Sequence, residues 1–66
     1  LSLRYKVLET QIVTDEILED LINCQTGKGW HLDGIRFAMS DASRRPTMAF
    51  ILFTREEEPP EEEDGD

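Results

Sequence analysis

Leu3, Tyr5 and Val7 alternate with Arg4 and Lys6 near the start of the chain, the period-two pattern of a strand over residues 3–10 with those apolar side chains on one buried face. A change of period follows. Thr14 precedes Asp15 and Glu16, placing a hydroxyl where it can accept an orphan N–H and two carboxylates where the helix dipole favours them. At helical spacing Ile17, Leu18, Leu21 and Ile22 form one stripe with Cys24 on its edge, while Glu16, Glu19, Asp20 and Asn23 take the other side. The pattern predicts a helix ending near Gln25, because Gly27 and Gly29 can each adopt the left-handed conformation that closes a helix.

Residues 30–39 return to alternation, but with a slip. Trp30 and Leu32 fall in one phase and Ile35, Phe37 and Met39 in the other, with Gly34 between them. A β-bulge at Gly34 brings all five to one face. A polar connection, residues 40–46, leads to Thr47–Thr54, where every position between the two threonines is apolar, as in a strand buried on both sides. Strands two and three are expected to pair antiparallel. From Glu56 onward no apolar residue occurs, and such a segment cannot offset the entropy of ordering, so residues 56–66 are expected to be a disordered acidic tail.

A strand-helix-strand crossover leaves space between its two parallel strands. The most apolar strand, the third, fills that space. The expected fold is α+β, a single domain over residues 1–55 of order β-α-β-β, with a three-stranded sheet in spatial order 1-3-2 and one helix on one face. The other face has no cover within the chain. It carries either Ala49, Ile51 and Phe53 or Met48, Phe50 and Leu52, and a second copy of the chain is the expected cover.

Composition sharpens this picture. The chain has 66 residues and a net charge of −8, but residues 1–55 hold 7 acids and 7 bases, and the other 8 acids lie between Glu56 and Asp66. The body is neutral and the tail acidic. Clustered basic contacts drive binding to nucleic acid, so a neutral body with a tethered polyanion argues against that partner. The tail is suited to keeping an oligomer soluble or to meeting another protein, and Arg44 and Arg45 are candidate partner contacts. One cysteine excludes an internal disulfide, and one Cys with one His makes no zinc site. Without covalent or metal staples, so small a domain needs dense packing or self-association. The first residues lack the apolar stretch of a secretory signal, so the expected compartment is the cytoplasm, with no membrane span.

Candidate chemistry is sparse. His31 carries the side-chain type most used for general acid–base work but has no nucleophile, orienting acid or metal ligand at a known spacing, so no catalytic residue is assigned. Cys24 sits near a helix C-terminus, where the dipole disfavours a thiolate, and is expected to be a small buried apolar side chain. Gly27-Lys28-Gly29 follows a helix instead of opening one, which fits a cap and not a phosphate loop. Trp30 is expected to anchor the core. No cofactor and no metal are implied.

Tyr5-Lys6-Val7, the helix with Leu21-Ile22-Asn23, the step Gly27-Lys28-Gly29-Trp30-His31-Leu32 and the closing Phe50–Arg55 together resemble the small bacterial domain-of-unknown-function 4177 family over residues 3–55. The resemblance implies a small β-α-β-β fold and transfers no catalytic residue, because the family has no assigned activity. Three functions are consistent with these features. The first is a non-enzymatic oligomeric protein-interaction module. The second is a small-ligand sensor with a pocket near Trp30, Phe37 and Phe50, and the third is an accessory subunit of an enzyme complex.

Overall fold

Thr14 begins the helix as its position predicts. Its backbone is extended and its Oγ1 accepts a 3.3 Å hydrogen bond from the N–H of Ile17, satisfying one of the donors that a first helical turn leaves open. The computed structural model describes residues 2–42 and 44–57, which form strand β1 (Ser2–Thr10), helix α1 (Asp15–Thr26), strand β2 (His31–Met39) and strand β3 (Pro46–Glu57). The sheet order is β1-β3-β2, with both flanking strands antiparallel to β3. The fold is therefore the small α+β domain expected.

Helix α1 ends one residue beyond Gln25. Gly27 caps it in right-handed geometry, its N–H donating to the Asn23 carbonyl at 3.0 Å. The left-handed residue is Gly29, at φ 98°, where a side chain would be strained. This turn allows the Trp30 N–H to return to the Gln25 carbonyl at 3.1 Å, which joins the end of the helix to the start of β2.

Register decides which side chains share a face, since directly paired residues project to the same side. Leu32 pairs with Phe53, Gly34 with Leu52, and Ile35 with Ile51. The shift leaves Asp33 as the extra residue and brings Leu32, Ile35 and Phe37 onto one side, as the slip in periodicity predicts. A second irregularity, between Ala38 and Met39, breaks the regular alternation before Met39.

Ala49, Ile51 and Phe53 are wholly buried. Among the described residues α1 is the one element outside the sheet, so the helix lies on their side of it. Of the two trios expected for the helix-free face, Ala49, Ile51 and Phe53 are excluded by their burial and the alternative, Met48, Phe50 and Leu52, carries it, all three partly exposed, so β3 is fully buried on one side only. β1 is turned the opposite way from its expected orientation. Lys6, Leu8 and Thr10 pair with Phe53, Ile51 and Ala49 and face the helix, whereas Leu3, Tyr5 and Val7 face away from it.

Two further expectations change. Cys24 is exposed, and the buried side chain of the last helical turn is Gln25. Gln25 continues the i, i+3, i+4, i+7 stripe of Leu18, Leu21 and Ile22, a position Cys24 misses. β3 continues past Arg55, so Glu56 and Glu57 pair with Leu3 and Ser2 and belong to the sheet instead of the tail. The rest of the expected tail, 58–66, lies outside the described residues.

Candidate functional site

The helix-free face can be read as rows running across the three strands. Glu9, Phe50 and Arg36 form one row, Val7, Leu52 and Gly34 the next, and Tyr5, Thr54 and His31 the third. Leu3 and Glu56 extend the face beyond one end, and Met48 and Ala38 beyond the other. The face is thus apolar and bulky along β1 at Leu3, Tyr5 and Val7, and shallow on β2 at Gly34 and Ala38, between the longer side chains of His31 and Arg36.

Exposure follows the same asymmetry. Leu3, Tyr5 and Val7 are 51%, 63% and 57% exposed, although alternating with charged residues on one strand normally directs such side chains inward. Their neighbours on β3 are partly covered within the sheet. Gly34 has no φ requirement, and no heavy atom lies within 4 Å of the place its Cβ would occupy. The space above Gly34 is open, and a glycine is not needed there for the chain to fold.

Glu9 and Arg36 flank Phe50 from opposite edges. They stand two strand spacings apart, about 10 Å, and among the described residues neither forms an ion pair. Among the described residues the two charges have no counter-charge.

A second constellation lies at the end of the sheet on the helix side. The Arg55 guanidinium lies over the Trp30 ring at 4.3 Å and the Lys6 ammonium at 5.4 Å, both within cation–π range. Arg55 also donates from Nε to Glu57 at 2.8 Å and from Nη1 to the Lys28 carbonyl at 3.3 Å, and its Nη2 completes an ion pair with Glu57. Hydrogen bonding from Arg55 holds the Glu57 carboxyl below its ordinary value of 4.5, with smaller electrostatic help from Arg55 and Arg4 working against desolvation. Trp30 is thus an anchor carrying two cations of its own chain.

The residues expected to line a pocket do not converge. Trp30 lies with Lys6 and Arg55 on the helix side, as does Phe37 opposite Ala49, whereas Phe50 is on the other face. An open depression of about 470 Å³ exists instead where β2 pairing stops, lined by Leu3, Gly29, His31, Thr54, Arg55 and Glu56. Of the two candidate contacts in the 40–46 connection, Arg44 is exposed and Arg45 donates to the Val13 carbonyl at 3.1 Å, tying that connection to the segment before α1.

Among the described residues no group of three His, Cys, Asp or Glu side chains could hold a metal, and no helix is long and apolar enough to cross a membrane. Compared with known proteins, the chain matches no family model, no curated protein and no solved structure.

Proposed function

We propose that this protein is a non-enzymatic, cytoplasmic protein-interaction module that self-associates through its helix-free sheet face. The observation that carries the proposal is the outward orientation of Leu3, Tyr5 and Val7, an apolar strip that β1 places beside Phe50 and Leu52. Its resemblance to the domain-of-unknown-function 4177 family, over residues 3–55, belongs to the same proposal and adds a fold without an activity.

The size of the face sets the expected strength. Three strands and a nine-residue β1 span about 14 by 30 Å, or about 400 Å² in projection on each copy. Side-chain relief raises the accessible area above that figure. The contact then falls at the low end of specific interfaces, the range of weak and transient association.

Sedimentation of the full chain across a concentration series tests this. The wild type is expected to form a dimer, and Val7→Asp is expected to remain folded and become monomeric, since it buries an unpaired charge only in the assembly. Phe37→Ser is the control. Phe37 is 50% exposed but lies on the helix side, so its replacement leaves the dimer intact. A wild-type chain that stays monomeric into the high micromolar range overturns the proposal.

A further inference from the structure

The helix-free face is complementary to itself in one orientation, and from that we infer the arrangement of the two copies, an inference that rests on the self-association proposed above. The two-fold axis runs parallel to the strands, between the sheets and over β3. This symmetry sets each β1 above the partner's β2 and keeps each row opposite its own copy reversed.

Each row then meets a complementary one. In the first, Glu9 lies against the partner's Arg36 on one side of the paired Phe50 rings, and Arg36 lies against the partner's Glu9 on the other. In the second, Val7 enters the open space above the partner's Gly34, with Leu52 packed on its counterpart. In the third, Tyr5 faces the partner's His31. Bulk meets hollow and acid meets base.

A two-fold axis in the same plane but perpendicular to the strands sets β1 on β1. It then opposes bulky strip to bulky strip and leaves Glu9 away from the partner's Arg36. Aligned sheets cross at about 30°, so the central rows, which hold Glu9, Phe50, Arg36, Val7, Leu52 and Gly34, remain closest to superposition. Gly34 acquires a role that folding does not give it, since its backbone and surroundings accept a side chain in the single copy.

The test is a charge exchange read by equilibrium sedimentation of the full chain. Glu9→Arg alone and Arg36→Glu alone each set like charges together twice per dimer, and each is expected to weaken association about tenfold or more. The double variant Glu9→Arg/Arg36→Glu restores wild-type association to within about threefold. Gly34→Val is expected to abolish the dimer while circular dichroism and Trp30 emission stay those of the folded chain.

If the wild type dimerises and Val7→Asp separates it, but the double exchange fails to restore association, the arrangement is wrong and the face survives. A dimer that tolerates Gly34→Val overturns the arrangement in the same way. A wild-type monomer instead overturns the underlying reading of the face.

Discussion

Replacing Phe53 and Phe50 in parallel tests which side of the sheet the helix covers. Phe53 is fully buried beneath α1, so Phe53→Ala loses the transfer free energy of the ring and leaves a closed cavity, about 3–5 kcal/mol together. Phe50 is partly exposed on the helix-free face. Phe50→Ala opens no closed cavity, so only the transfer contribution is lost, about 1–2 kcal/mol. A small domain holds about 0.05–0.15 kcal/mol of stability per residue, or about 3–8 kcal/mol here. Phe53→Ala therefore consumes most of that margin, whereas Phe50→Ala leaves a folded protein. Urea unfolding followed by the emission of Trp30, the single tryptophan, measures both variants at protein concentrations low enough to keep the chain monomeric. With an m-value of about 1 kcal/mol/M, the midpoint falls by about 3 M or more for Phe53→Ala and by about 1–2 M for Phe50→Ala. Equal shifts, or a larger shift for Phe50→Ala, refute the assignment of faces.

Other consequences can be measured on the same chain. Gln25 is buried, with no hydrogen-bond partner for its Oε1 among the described residues, so Gln25→Leu is expected to raise stability by about 1 kcal/mol in urea unfolding by removing an unmade bond. Thr14→Ala removes the side-chain cap of α1 and is expected to lower stability by about 1 kcal/mol, seen as a reduced thermal midpoint. Because the folded Glu57 carboxyl lies below its ordinary 4.5, its contribution is present above that pH and is lost as pH falls through the folded value. Protonation releases Arg55 from Glu57 next to Trp30, so acid titration of Trp30 emission should show a change below pH 4.5 that Glu57→Gln lacks.

Local chemistry was readable from the residues alone. Thr14 caps α1 because a hydroxyl ahead of two carboxylates satisfies donors within three residues, with no tertiary help. The bulge beside Gly34 was visible as a slip in alternation, and the central place of β3 followed from its unbroken apolar run. What alternation cannot supply is the side on which the helix lies. It groups Leu3 with Tyr5 and Val7 but is silent on where that group points. On hydrophobicity alone the group belongs inside, yet pairing Leu8 with Ile51 and Lys6 with Phe53 turns it outward. Lys6 is accommodated on the helix side because its ammonium reaches the Trp30 ring, as a long cationic side chain can while its stem remains among apolar atoms. The burial of Gln25 is legible as the seventh step from Leu18, but an amide side chain carries no apolar signal of its own to mark the position.

The order β1-β3-β2 also governs when the protein can assemble. Neither outer strand has a sheet neighbour until the last strand arrives, and β1 must close a loop of more than thirty residues, from Thr10 to Pro46, to reach it. The local hairpin of β2 with β3 has the shorter loop and lower closure entropy, so it is the natural nucleus, and docking of the first strand completes the sheet. During synthesis on the ribosome, the apolar strip of β1 therefore emerges long before its partner strand, and folding begins at the end of the domain that is made last.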